Sequence, residues 1–304
     1  MLSIAGSDSG GGAGIQADLK AFAAAGVHGM TAITALTAQN TVGVSAVHPV
    51  PGEVILAQVR AVLSDIGIDA VKVGMLGDEP TIRAVAQALD ELPPRTPVVV
   101  DPVMVSESGA TLLERRAYAA LVELILPRAT VVTPNLPEAR TLARAAGGAP
   151  AAGGARPTGG GRPTGGAPAA GDPRVARGAP AAGDPRPAEG EPADDAVALA
   201  RLIRGLGPEV VVVTGGHRET ASDVFFDGDQ VAEIPGERYP DGAAHGSGCT
   251  HSSVLAARLA WGDDPLSAAR VAKALAARAV RDGLGEIGVG AGPVNVLGLG
   301  HTAA

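Results

Sequence analysis

The sequence predicts an α/β fold built on a mostly parallel sheet, and three observations carry that prediction. Short, nearly all-apolar runs rich in valine recur at 70–73, 98–100, 130–133 and 210–213, as expected of strands buried on both faces. Helical patterns separate them at 53–65, 79–92, 114–126 and 195–205. Strand alternating with helix implies right-handed crossovers and helices on both sides of the sheet, and in such sheets ligands bind beyond the carboxyl ends of the strands.

Composition bounds the function. The chain has 304 residues, 46% of them hydrophobic, enough for one large α/β domain. A net charge of −8 argues against a nucleic-acid partner, because a phosphate backbone calls for clustered Lys and Arg. No apolar run reaches the roughly 18 to 20 residues that span a bilayer. The one cysteine forms no internal disulfide, and the first residues lack the charged start and long apolar run of a signal peptide, so a cytoplasmic location is expected.

One stretch breaks the pattern. Over 147–195 the sequence turns to Gly, Ala, Pro and Arg, with Gly-Ala-Pro-Ala-Ala-Gly at 148–153, 166–171 and 178–183 and Arg-Pro-Thr-Gly-Gly at 156–160 and 162–166. It has little to bury against a backbone entropy of about 1–2 kcal/mol per residue. The reading is a single domain over 1–304, interrupted by a disordered insertion at about 147–195 that acts as a solvated spacer, with docking as the alternative role.

The first candidate site surrounds the lone cysteine, in His245-Gly246-Ser247-Gly248-Cys249. A helical rhythm starts at Cys249, and a helix start leaves N–H groups unpaired and carries about half a positive charge, which makes an anion site without a basic side chain. A thiol in that first turn is expected to have a lowered pKa and to serve as a base toward a substrate hydroxyl. The alternative is a small packing residue after a tight turn.

Other candidates follow strands. Gly10-Gly11-Gly12-Ala13-Gly14 lacks the third glycine of a dinucleotide fingerprint, and no Walker sequence occurs. What remains is a glycine loop that lets a small substrate approach the backbone. Asp101, Asn135 and Glu138 fall after buried strands, where oxygen ligands could hold Mg²⁺ through water beside phosphates; the three-residue spacing of Asn135 and Glu138 fits helix capping equally. Thr214, in Val-Val-Val-Thr-Gly-Gly-His at 211–217, offers a hydroxyl to a phosphate or ribose. His217, His245 and His251 lack metal-site spacing.

Eight motifs in order, SIAGSDSGGGAGIQADLKAF at 3–22, TALTAQNTVGV at 34–44, VKVGML at 71–76, VVVDPVM at 98–104, TPNLPEA at 133–139, VVVTGGH at 211–217, HGSGCTHSS at 245–253 and GAGPVN at 290–295, resemble the hydroxymethylpyrimidine/phosphomethylpyrimidine kinases of thiamine biosynthesis. The resemblance covers nearly the whole chain outside 147–195. It implies a ribokinase-like three-layer α/β/α sandwich and ATP- and Mg²⁺-dependent phosphorylation of 4-amino-5-hydroxymethyl-2-methylpyrimidine, then of its monophosphate. Position by position, it implies that Gly6, Asp18, Gln39 and Met75 line the pyrimidine pocket. Asp101, Asn135 and Glu138 would organise Mg²⁺ and the ATP phosphates, and Gly246, Gly248 and Cys249 would form the anion hole with Cys249 as base. An amide such as Gln39 suits an aminopyrimidine edge, since it both donates and accepts. Relatives are often dimers, so a homodimer is an expectation too.

Three departures qualify the match. Thr214 stands where many relatives carry Lys, His251 replaces an often apolar residue, and the 147–195 insertion falls where relatives have a short connection. A pyridoxal or pyridoxine kinase is the nearest alternative; a ligand-binding regulator without catalysis, or an added scaffolding role for the insertion, are others.

Overall fold

A computed structural model describes residues 1–147, 196–218 and 220–300. Of the 147–195 insertion only Gly147 is described; the remainder, and with it the expectation of disorder, lies outside the described residues.

The strands are β1 (Leu2–Asp8), β2 (Met30–Asn40), β3 (Gly43–Pro49), β4 (Val71–Val73), β5 (Val98–Val100), β6 (Val131–Val132), β7 (Val210–Val213), β8 (Asp223–Phe226) and β9 (Val231–Ile234). They form one sheet in the order β3-β2-β1-β4-β5-β6-β7-β8-β9. Strands β2, β1, β4, β5, β6 and β7 run parallel, while β3 and the β8–β9 pair add antiparallel edges. Strands from both sides of the insertion meet in this sheet, with β6 against β7.

The helices are α1 (Gly14–Ala24), α2 (Gly52–Asp65), α3 (Glu79–Asp90), α4 (Tyr118–Ala120), α5 (Leu136–Gly147), α6 (Ala196–Arg204), α7 (Ser247–Ala260) and α8 (Pro265–Arg281). The helix expected over 114–126 is replaced by a tightening and widening coil: 3-10 turns at Arg115–Ala117 and Leu126–Arg128 flank α4 and a π-helical stretch, Leu121–Ile125. Ordinary capping sets other boundaries. Asp78 accepts from the Thr81 N–H to start α3, and Asp264 from the Ser267 N–H to start α8, each with proline in the first turn.

Alternation along the strands divides the interior into two cores. Val71, Val73, Val98, Val100, Val211 and Val213 face α2, α3, α5 and α6. Ala70, Val99, Val131, Val210 and Val212 face α1, α7 and α8. That period of two sends Lys72 to the α1/α7 side. Strand β1 pairs with both β2 and β4, so successive crossovers depart to opposite sides of β1. This is a topological switch point, where a crevice opens beyond the carboxyl ends.

Candidate active site

A cavity occupies that crevice. Its wall contains Gly6, Gln39, Met75, Asp101, Asn135, Glu138, Thr214, Gly246, Gly248 and Cys249. The strand ends deliver them: β1 ends near Gly6, β4 before Met75, β5 before Asp101, β6 before Asn135 and β7 before Thr214. Gln39 arrives by a different route, on the β2–β3 hairpin that rises beyond the sheet.

Helix α7 starts at this cavity with no side-chain cap, so its first N–H groups are not spent on a neighbouring side chain. Its N-cap, Gly246, has φ = 85°, a left-handed conformation that L side chains pay to adopt. A Cβ there would also overlap the Gly12 carbonyl oxygen. Glycine is thus required twice over at 246. At Gly248 a Cβ would meet only Asp101 Oδ2, at 3.9 Å, which puts the turn over that carboxylate.

Cys249 is partly exposed at the wall, but its predicted thiolate character is corrected. Burial, reinforced by the negative charges of Asp18 and Asp101, pushes the thiol up to about 12, against the pull of Lys72 and of the Gly14 N–H. Desolvation and the neighbouring carboxylates oppose the thiolate that a helix start favours.

A buried charge cluster stands at the wall and reaches behind it. Lys72 is fully buried, with Nζ 2.9 Å from Asp18 Oδ1 and 3.9 Å from Asp101 Oδ2. Ser3 donates to Asp18 Oδ2 at 2.6 Å and Ser253 to Asp18 Oδ1 at 2.8 Å. Burial opposes the ammonium charge, yet the Asp18 and Asp101 carboxylates raise the Lys72 pKa above its usual value. Asp18, expected on the pocket wall, instead stands behind Lys72 as its counter-ion and is absent from the lining. Its place on α1 turns it toward β4 and α7. Among the described residues Lys72 is the one lysine or arginine on the wall, and its charge is committed to carboxylates.

Asn135 and Glu138 cap α5 reciprocally: Asn135 Oδ1 accepts from the Glu138 N–H and Glu138 Oε2 from the Asn135 N–H, both at 2.9 Å. The capping alternative is therefore realised, and both side chains still reach the cavity. Burial and then the Asp101 charge push Glu138 up to about 8, although N–H groups of Asn135 and Met104 pull it down. Asp101 is raised by burial and Asp18, against Lys72, Ser252 and His251. The Ser252 hydroxyl donates to Asp101 Oδ2 at 3.1 Å. Two buried carboxyls, both raised and one of them by the other's charge, make a site short of positive charge.

The glycine loop is pinned at one carboxylate. Asp8 accepts from the N–H groups of Gly10, Gly12 and Ala13 at 2.8, 3.0 and 2.8 Å. His245 Nε2 lies 3.1 Å from Asp8 Oδ2. Burial opposes the Asp8 charge, but the His245 contact and the N–H groups hold its pKa below the usual carboxylate range. Lys72, Asp8, His245 and Ser252 were not assigned roles from sequence. A lysine inside an otherwise apolar strand is the one local signal, since Lys is almost never buried unpaired.

Fold and site together define an α/β phosphotransferase: an uncapped helix start, a glycine loop and paired carboxyls converge at a switch point. The phosphomethylpyrimidine kinase family model matches residues 8–150 and 187–295. A hydroxymethylpyrimidine/phosphomethylpyrimidine kinase from Rhizobium meliloti is 45% identical over 97% of this chain and 95% of its own. A Staphylococcus aureus pyridoxal kinase, solved with AMP-PCP and pyridoxal, superposes with a TM-score of 0.74 at 30% identity over 97% of this chain and 92% of that one. A Clostridium difficile phosphomethylpyrimidine kinase gives 0.66 at 34% identity, over 90% and 95%. The chain belongs to the phosphomethylpyrimidine kinase family and has its ribokinase-like fold.

Proposed function

We propose that this enzyme transfers the γ-phosphoryl group of ATP to the hydroxymethyl group of 4-amino-5-hydroxymethyl-2-methylpyrimidine and then to the resulting monophosphate. The observation that supports it best is the uncapped start of α7, with Gly246 and Cys249 on the same cavity wall as Gln39 and Met75. In this reading the N–H groups of Gly246, Gly248 and Cys249 hold the transferring group, as phosphoryl transfer asks mainly for positioning and charge neutralisation. The Gln39 amide reads the aminopyrimidine edge beside Gly6 and Met75, and Asn135 and Thr214 face the nucleotide.

The carboxyl pair suits a cation. Among the described residues no three His, Cys, Asp or Glu side chains converge as a metal cage. Mg²⁺ would therefore be held by Asp101 and Glu138, with water and phosphate oxygens completing its shell, and bound there it offsets phosphate charge.

The raised Cys249 thiol shapes the proton step. As the substrate oxygen bonds to phosphorus and the bond to ADP breaks, the hydroxyl proton passes to Sγ while Sγ–H gives its own to an oxygen of the transferring group. The thiol begins and ends neutral. A homodimer belongs to this reading through the family resemblance, and a cytoplasmic location through the sequence grounds given above.

The pyridoxal kinase alternative is separated by ATP turnover with hydroxymethylpyrimidine, its monophosphate, pyridoxal and pyridoxine as separate substrates. Turnover of both pyrimidines is the expected result. Turnover of the B6 compounds alone would overturn the assignment.

A further inference from the structure

The GAGPVN motif and His245, which the reading above does not use, close a circuit beside the cavity. Four segments take part, and each is tied to the next. The glycine loop is tied to the β2–β3 hairpin, because Ser9 Oγ donates to the Gln39 carbonyl at 2.6 Å and accepts from the Gln39 N–H at 2.8 Å. The hairpin is tied to the C-terminal segment by the Gly290 N–H, which donates to Thr41 Oγ1 at 3.3 Å. That segment is tied to the anion-hole turn on both sides of one residue: the His245 N–H donates to the Gly292 carbonyl at 3.2 Å, and the Val294 N–H to the His245 carbonyl at 3.0 Å. The His245 ring completes the circuit at Asp8 Oδ2, 3.1 Å away.

Close packing reinforces two of these junctions. A Cβ on Gly12 would overlap the His245 ring, one on Gly246 the Gly12 carbonyl, and one on Gly290 the Thr41 carbonyl. His245 is 7% exposed and Asp8 3%, and both reach the cavity wall. The Asp8 carboxylate holds its negative charge and can only accept, so His245 Nε2 carries the proton it donates. His245 is the one residue in the circuit that bonds to two neighbouring segments, through its backbone to the C-terminal segment and through its ring to the glycine loop.

We propose that His245 is a positioning residue that fixes the distance between Gln39 and the anion-hole turn, so that the pyrimidine side of the pocket is preformed before substrate arrives. The proposal rests on the pyrimidine reading of the pocket given above. Its cost when lost falls on binding of the ring substrate, because the circuit runs through Gln39 and omits Asn135 and Thr214, while the anion-hole turn keeps the Ser247–Ala244 and Thr250–Gly246 backbone hydrogen bonds of its own.

The test compares the full-length wild type with His245→Ala, His245→Gln and Gly290→Ala in steady-state kinetics, varying pyrimidine and ATP separately, with calorimetric titration of the pyrimidine alone. Displacing groups on one side of a site raises KM on that side, so His245→Ala should raise KM and Kd for the pyrimidine about 10-fold with KM for ATP within about twofold. His245→Gln keeps a donor for Asp8 and should recover most of that loss. Gly290→Ala, on the far side of the circuit, should show the same split. Unchanged pyrimidine KM and Kd in His245→Ala and Gly290→Ala, or no rescue by His245→Gln, would overturn the proposal even if thermal stability fell. The wild type is read first: turnover of pyridoxal alone would refute the substrate assignment instead, and the same KM comparison would then be made with pyridoxal.

Discussion

Replacing Lys72 by methionine removes one charge from a pair that water does not reach. Both side chains of the Lys72–Asp18 pair have no exposed surface, and the nearest N–O distance is 2.9 Å. At an effective dielectric of about 20 the attraction at that distance is about 6 kcal/mol, partly offset by the desolvation both ions have already suffered. Removing one partner of such a pair typically costs about 3–5 kcal/mol, because the other charge is left buried. Here Ser3 and Ser253 still donate to the two Asp18 oxygens, which places Lys72→Met near the lower end, about 3 kcal/mol. The assay is equilibrium denaturation of wild type, Lys72→Met, Asp18→Asn and the double variant. The double variant should be more stable than the sum of the single losses by roughly 2 kcal/mol, since the Asp18 charge is no longer stranded and only Asp101, at 3.9 Å, has lost its cation. A Lys72→Met cost below about 1 kcal/mol, or simple additivity in the cycle, would refute the view that this pair is a coupled buried unit.

Gly246→Ala should cost about 1–2 kcal/mol for the left-handed backbone alone, with a further loss from overlap with Gly12 and a large fall in kcat; denaturant midpoints and turnover on one preparation check both. Asp8 gives an acid-side signature. Its folded pKa is depressed, so its contribution to stability is present above the unfolded value of about 3.9 and is lost as pH falls through the folded value. Wild type should therefore exceed Asp8→Asn in denaturant midpoint at neutral pH, with the gap closing under acid; a gap independent of pH would contradict the assignment.

Much of the architecture was legible because it is local. Valine runs mark β4 to β7, and a two-residue alternation within them explains two cores on opposite faces. The β2–β3 hairpin and the β8–β9 pair were harder to see, since their hydrogen bonds, not an apolar run, define them. The coil at 115–128 reads as an ordinary helix from its apolar spacing, and nothing local announces the π-helical turn. At the site, the position of Cys249 at a helix start followed from Gly-Ser-Gly-Cys, but its protonation state did not. That state depends on Asp18, Lys72 and Asp101, which lie far away in sequence and meet only when α1, β4 and β5 pack against α7. The same distance hid the Lys72–Asp18 pair and misplaced Asp18 on the pocket wall. Asn135 and Glu138 were legible in both senses, as a capping pair and as cavity carboxamide and carboxyl, because one spacing serves both.

The central claim is that the start of α7 holds the transferring group while Cys249 relays the proton of an alcohol. The two acceptors differ in what they ask of a relay: the hydroxymethyl group must lose a proton, whereas a monophosphate is already anionic near pH 7. The most direct measurement is kcat of wild type and Cys249→Ala at saturating ATP with each pyrimidine. The account predicts a loss of about 100-fold or more with the alcohol and a much smaller loss, within about 10-fold, with the monophosphate. Full activity of Cys249→Ala on the alcohol would make the cysteine a packing residue, and equal losses on both acceptors would contradict the relay.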